Sequence, residues 1–453
     1  MRLLILLALL ITSTAYAQTP ETTPEQTAAS LRDKALASSR GWAIVESLTT
    51  EVGPRLAGTE ADIRAVAWAQ ELLQSSNFDR VWTEPVSIPV WRRHHEQARV
   101  VSPYPQPLRI TALGYSGSTD GEMTAEVIGF PSMKAFKQAD ADTVAGKIVF
   151  INRKMERHKQ GAGYPPVSRM RYTVVPAAKE KGAKAALIRS VGTDSHRFPH
   201  TGASVRSDNP FPTAALSAPD ADQLQRMLDR GVPVRLALDI RVSERAEGIT
   251  HNVIAQLNGR ENPEEIVLIG AHLDSWDLGT GALDDGAGVA ITTAAAELIS
   301  QLEQRPRRSI RLVLFGNEEQ GLWGAKAYAK QHADELARHV IASESDFGAG
   351  LVWRFDSANP DLMSTAMTAL AALNIEQGKK PSSGGPDIGP LQQQGVPVFR
   401  LQQDGSDYFD YHHTADDTLD KIDPEKLQQN IAAWSVVTWL AAELPSVKRT
   451  ANE

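Results

Sequence analysis

The sequence predicts an α/β fold, a mixed and mostly parallel sheet sandwiched by helices, with a β-rich segment inserted into it. Three observations lead there. From Thr250 onward, short uninterrupted apolar runs alternate with stretches of helical period, as strands covered on both faces by helices require. From about Thr111 to residue 244, closely spaced apolar runs are separated by Gly, Pro and polar loops, which reads as a smaller module set into a larger one. His and acidic residues gather just beyond the C-terminal ends of apolar runs, the edge at which open α/β sheets bind ligands.

In chain order, residues 1–17 read as a secretory signal peptide. Arg2 supplies the charge, residues 3–11 the apolar stretch and Ala15-Tyr16-Ala17 the small-residue cleavage pattern. The expected destination is the periplasm of a bacterium or the medium. No membrane attachment is expected after cleavage, because no later run is long and apolar enough to span a bilayer. The chain has 453 residues and no Cys. A core of that size needs no disulfides, and thiolate ligands and cysteine nucleophiles are excluded. A net charge of -8 gives no reason to expect nucleic acid as a partner.

Residues 18–40, polar and Ala-rich, are expected to hold a helix and 60–73 a second, while 81–91 alternates as a strand. Inside the insert the runs 125–128, 147–151, 185–188 and 232–240 read as strands, and the basic cluster at 179–184 as the solvated end of a helix. Buried strands follow at 266–269 and 310–315, helices at 286–302 and 322–336, and strands at 340–342, 351–355 and 396–401. A helix at 362–375 and a closing helix at 424–444, opened by Pro424, complete the order. The larger domain would comprise residues 18–110 and 245–453, around an insert at 111–244.

Four clusters carry the chemistry. His272 and Asp274 stand two apart, so on a strand they share one face. Asp274 is placed to hold the second ring nitrogen of a ligating His272; alone, the pair equally fits a structural histidine. Asp284-Asp285 lies among Gly281, Gly286 and Gly288. One carboxylate there can bridge two metals, or Asp can cap a helix. Glu318 and Glu319 leave a strand pointing different ways, so one can ligate while its neighbour faces water as a general base; otherwise the two form a solvated acidic turn. Asp346 and the pair His412-His413 complete the set. With imidazole and carboxylate donors and no thiolate, the ions would be zinc or a similar divalent metal. Two such ions side by side most often serve hydrolysis of an amide or phosphate bond.

These residues resemble the di-zinc aminopeptidase and glutamate-carboxypeptidase-like metallopeptidase family. The resemblance rests on His272-x-Asp274, Gly281-Ala282-x-Asp284-Asp285-x-x-Gly288, Asn317-Glu318-Glu319-x-Gly321-x-x-Gly324, Asp346 and His413-x-x-x-Asp417-Thr418, together with Gly53-Pro54-Arg55-Leu56-Ala57-Gly58. It covers residues 250 to 444, and the arrangement is most similar to the carboxypeptidase Q-like branch; the insert looks like a protease-associated domain. The resemblance implies the zinc exopeptidase fold and two Zn2+ per chain. Asp284 would be the bridging carboxylate, joined to Asp285 by a cis peptide. His272 and Asp346 would complete one site, Glu319 and His413 the other, and Glu318 would be general base and acid. Some family members steady the oxyanion with a Tyr just before the ligand His; His412 stands there in this chain, so His412, Tyr408 or Tyr411 is expected in that role. A homodimer would be similar to relatives.

The loop Ser382-Ser383-Gly384-Gly385-Pro386-Asp387 is expected to face the site, with Asp387 receiving a substrate amino group, or else to be a plain turn. Arg400 meets a carboxylate or is a surface charge. The expected function is a secreted exopeptidase acting on dipeptides or short peptides, as an aminopeptidase or dipeptidase, with Glu318 taking a proton from the attacking water. Three other readings stand beside it. One is carboxypeptidase specificity on the same core. A glutaminyl-cyclase-like acyltransferase resembles a single-zinc site and would not need His272. A non-catalytic binding protein would have lost ligands that are intact here.

Overall fold

The run at 266–269 lies in the strand Asn262–His272, the middle one of three parallel strands. His339–Glu344 flanks it on one side and Arg308–Phe315 on the other, and the long strand Arg235–Leu257 runs antiparallel to Arg308–Phe315. The computed structural model describes residues 22–379 and 383–449, so the expected signal peptide lies outside the described residues. Alternate residues of these strands part to opposite faces. Val267, Ile269 and Ala271 join Val253, Ala255, Leu312 and Leu314 against the helices Ala287–Ser300, Pro424–Glu443 and Pro24–Leu36. Ile266, Leu268, Ile254, Val313 and Phe315 face the helix Trp323–Gln331. With both faces dry, the runs are uninterrupted instead of alternating. Among the described residues no helix is long and apolar enough to cross a membrane.

Register positions the site. Phe315 pairs with His272 and Glu344 with Gly270. The three parallel strands therefore end nearly level, and the residues that follow them fall along one edge. The helix expected over 322–336 stops at Gln331. There His332 is held between Glu84 at 2.9 Å and Glu335 at 2.8 Å, and a short 3-10 turn, Leu336–Arg338, follows.

Arg80–Ser102 runs antiparallel along Arg235–Leu257, which also pairs with Met123–Phe130, so that one continuous sheet runs on into residues 111–244. There Met123–Phe130, Ile148–Ile151, Ala185–Arg189 and Thr213–Leu216 stand parallel in that order, with Ile110–Ala112 antiparallel to the last. Helices cover both faces. Phe136, Val144 and Val174 pack with Val149 and Ile151, while Leu224 and Met227 pack with Phe150 and Leu187. The sequence announces the strands of this segment better than its helices. Tyr164–Glu180 contains Pro165, Pro166 and Pro176, which read as loop residues. The first two sit in the opening turn, where a missing N–H costs nothing. Residue 245, the expected boundary, lies within the strand Arg235–Leu257.

Candidate active site

His272 is the last residue of its strand, Glu318 and Glu319 follow Arg308–Phe315, and Asp346 follows His339–Glu344. Asp284 comes from the turn Ala282–Gly286, which opens the helix Ala287–Ser300. His413 follows the short helix Tyr408–Tyr411. His272 and His413 meet at the two oxygens of Asp284, each with a further carboxylate beside it. Asp284 Oδ1 lies 3.1 Å from His272 Nε2, which is itself 3.9 Å from Asp346 Oδ1. Its Oδ2 lies 3.2 Å from His413 Nε2, which is 2.9 Å from Glu319 Oε2. One carboxylate thus serves two groups of donors, as a bridge between two ions would. Asp284 and Asp285 are joined by the cis peptide that the family resemblance implies. His412 Nε2 approaches the same Oδ2 at 3.6 Å, so Asp284, His412 and His413 form a second grouping of metal-binding type; the shorter contacts belong to Glu319.

These donors fit divalent cations. Asp284 Oδ2 and Glu319 Oε1 are buried with no hydrogen-bond partner among the described residues, a costly state for a carboxylate unless a cation takes its lone pairs. Burial holds the His413 imidazole below its ordinary pKa and the His412 imidazole well below it. Both rings are then neutral near pH 7, the form that ligates.

A shell of polar groups fixes these positions. Asp285, fully buried, accepts from the backbone N–H groups of His272 and Gly288, each at 3.1 Å. A Cβ on Gly288 would come within 1.9 Å of the Ser345 carbonyl oxygen, which explains the glycine. Arg55 is completely buried and laces the loop after His272 to the loop before Asp284. Its Nε donates to the Leu273 carbonyl at 2.5 Å, Nη1 to Thr280 at 2.6 Å and Nη2 to Gly281 at 2.9 Å. Asp417 accepts from the N–H groups of Leu283 at 2.6 Å and Asp284 at 3.1 Å, and burial pushes its pKa up to about 7.

Asp274 departs from its expected role. The strand ends at His272, so the period-two argument stops there. The backbone carbonyl of Asp274 accepts from His272 Nδ1 at 2.9 Å, whereas its carboxylate stands 3.7 Å from that nitrogen. The carboxylate accepts instead from the N–H groups of Glu318 at 2.9 Å and Glu319 at 3.4 Å. Its side chain therefore places the two glutamates, not the imidazole.

Thr201 and His200 hold the His412-His413 segment. His413 has φ 62°, a left-handed conformation that costs a non-glycine residue energy and persists only where its surroundings impose it. His413 Nδ1 donates to the Thr201 carbonyl at 3.2 Å, Thr201 N–H donates to the His413 carbonyl at 3.0 Å, and His200 Nδ1 donates to the His412 carbonyl at 2.7 Å. The other His200 nitrogen lies 2.6 Å from Asp194 Oδ1, both side chains being buried. Outer partners of this kind typically set metal affinity by roughly 10- to 100-fold. His200→Ala should weaken divalent-metal binding by about that factor in a chelator competition, with folding checked by Tm. Unchanged affinity in a folded variant would remove His200 from the support of the site. The clamp has no local sequence signature, because His200 and His412 stand 212 residues apart. Arg55 lies in the Gly53–Gly58 motif, which does not announce the carbonyl it reaches 218 residues away.

The two groups open into a cleft of about 670 Å³, lined by Asp284, Glu318, Glu319, Asp346, His412 and His413 among others. Glu318 is partly exposed to it; burial, opposed by His272 and reinforced by Glu319, Asp346 and Asp274, holds its carboxyl well above the ordinary range. Tyr408 lines the cleft with its ring 5.1 Å from that of His412, and burial keeps its phenol protonated well above the usual pKa. Tyr411 lies instead in a neighbouring pocket with Leu283 and Lys421. Arg400, Ser383, Gly385 and Pro386 line the cleft, and Ser382 falls outside the described residues. Asp387 is fully buried and is not among the lining residues; its N–H donates to Glu344 Oε2 at 2.8 Å.

The sequence model described as Peptidase family M28 matches residues 252–438, a stretch that contains every candidate ligand. Carboxypeptidase Q of Bos taurus is 35% identical over 415 residues, 90% of this chain and 86% of its own length. A solved structure, the Peptidase M28 precursor from Shewanella amazonensis SB2B, superposes with a TM-score of 0.92 at 48% identity, covering 95% of this chain and 99% of that one. A zinc aminopeptidase from Bacillus subtilis shares the fold, with a TM-score of 0.66 at 20% identity over 91% of this chain and 98% of its own. With the ligand geometry in place and the similarity extending over nine-tenths of the sequence, the chain belongs to peptidase family M28 and is a hydrolase of peptide bonds.

Proposed function

We propose that this peptidase is an exported di-zinc exopeptidase that cleaves dipeptides or short peptides beside a free amino terminus. The observation that carries the reading is the division of the Asp284 oxygens between His272 with Asp346 and His413 with Glu319. Imidazole and carboxylate donors without thiolate suit zinc, and the Bacillus subtilis relative of the same fold is a zinc aminopeptidase. Zinc bound by these residues would lower the pKa of a water and polarise the scissile carbonyl. Glu318 takes the proton of the attacking water and passes it to the leaving amine; a raised pKa suits a carboxyl that must serve as base and then acid. His412 and Tyr408, both neutral, are the donors placed to steady the oxyanion.

A panel of dipeptides with free and blocked ends tests this. The zinc-supplied protein should cleave those with a free amino terminus, lose the activity to a chelator and regain it with zinc. Cleavage that tolerates a blocked amino end but requires a free carboxylate would make it a carboxypeptidase. No cleavage of any member would contradict the proposal.

A further inference from the structure

The turn that carries Glu318 and Glu319 does not keep its shape by backbone preference. Asn317 has φ 58° and Leu322 φ 57°, a left-handed conformation that a non-glycine residue holds only where its surroundings impose it. One side of the turn is fixed by the Asp274 carboxylate, which accepts from the N–H groups of Glu318 at 2.9 Å and Glu319 at 3.4 Å. The other side is fixed at the Gln320 carbonyl, which accepts from Trp323 Nε1 at 3.2 Å and from the Tyr115 hydroxyl at 3.1 Å. Trp323 opens the helix into which the turn leads and moves with it, whereas Tyr115 reaches across 205 residues of chain. The Gln320 side chain gives no help. Its Nε2 and Oε1 are buried with no hydrogen-bond partner among the described residues.

Tyr115 is itself firmly set. The Gly114 N–H donates to the Gly202 carbonyl at 3.0 Å, the Gly114 carbonyl accepts from Ser204 at 2.9 Å, and the Gly117 N–H donates to the Phe211 carbonyl at 3.0 Å. Between these bonds Tyr115 has φ 65°, which glycine or asparagine adopts at little cost and a bulky residue does not. The side chain, not the backbone, therefore accounts for a tyrosine at this position. It is buried in the apolar cluster with Leu56, Trp91 and Trp276. Burial pushes its phenol up to about 12, so the hydroxyl remains a donor through neutral and mildly alkaline pH. Tyr115 is not among the residues lining the cleft, so it acts through Gln320 and not on substrate. We propose that Tyr115 is a positioning residue: its hydroxyl and the Asp274 carboxylate grip the turn from two sides and so set where Glu318 and Glu319 stand. The inference rests on the exopeptidase reading, in which Glu318 moves the proton and Glu319 holds an ion.

Tyr115→Phe removes one oxygen and leaves the ring in place. In the zinc-supplied enzyme acting on a dipeptide with a free amino terminus, kcat should fall about 10- to 100-fold, the scale of effect that displacing a reacting group by about 1 Å produces. KM should stay within about twofold, because no substrate contact is lost. Titration with a chelating indicator should find the ion of Glu319 and His413 held about 10-fold more weakly and the ion of His272 and Asp346 held as in the wild type. If the Phe variant does not fold, Tyr115→Asn gives the same readings, since asparagine suits the left-handed backbone and is too short to reach Gln320. Wild-type kcat and wild-type affinity at both sites in a folded variant would overturn the assignment. So would both ions weakened alike, the mark of general loosening, or a rise in KM with kcat unchanged, the mark of a substrate contact. A wild-type enzyme that cleaves no dipeptide would take down the exopeptidase reading alone. In that case weakening of the Glu319 ion by itself would still support Tyr115 as an anchor of the turn, and its absence would overturn it.

Discussion

Glu318→Gln is expected to retain its metal and lose kcat by about 100- to 10,000-fold, the usual contribution of a positioned acid–base group. Gln keeps the length and planarity of Glu but cannot accept the proton of water. The backbone at Glu318 is set by the Asp274 carboxylate at 2.9 Å, not by its own side chain, so the substitution leaves the neighbouring ligand Glu319 in place. The side chain faces the cleft, and no described contact binds it to another carboxylate or imidazole of the two ligand groups. Activity should fall with KM little changed and with wild-type metal content by elemental analysis. A Gln variant that keeps most of its kcat would remove Glu318 from proton transfer. One that loses metal would make it a ligand.

Asp284→Ala should lose both ions together, which no other single ligand substitution should do. His272 meets Oδ1 and has Asp346 beside it, and His413 meets Oδ2 and has Glu319 beside it. His413→Ala should therefore weaken one site and leave the other near its wild-type affinity. In Asp284→Ala both affinities should fall by on the order of 100-fold or more, beyond what loss of an outer partner produces. Titration with a chelating indicator reads both sites. One ion retained at full affinity in Asp284→Ala would mean that the carboxylate does not bridge.

The sheet was legible because its strands are dry on both faces. The runs at 266–269 and 310–315 carry enough β-branched and aliphatic residues to be read as strands, and level registry then puts every residue after them on one edge. His272, Glu319 and Asp346 could be picked out as candidate donors because they stand at or after strand ends, and Asp284 because it lies in a glycine-flanked turn. His413, after the short helix Tyr408–Tyr411, was reached only through the family resemblance. What the fixing groups do was not legible, although Arg55, Asp285 and Asp417 stand in the family motifs. Arg55 acts through backbone carbonyls more than two hundred residues away, and any residue can offer a carbonyl. The role of Asp274 depended on where the strand ended, and one residue decided whether its carboxylate turned toward His272 or toward Glu318. The helix Tyr164–Glu180 was announced at its end by the basic cluster at 179–184, while Pro165, Pro166 and Pro176 hid its extent.

Anomalous diffraction from crystals grown with zinc tests the claim that one carboxylate serves two ions. Two peaks should appear, one touching Asp284 Oδ1 together with His272 and Asp346, the other touching Oδ2 together with His413 and Glu319. A single peak, or a second peak that Asp284 does not reach, would contradict the account.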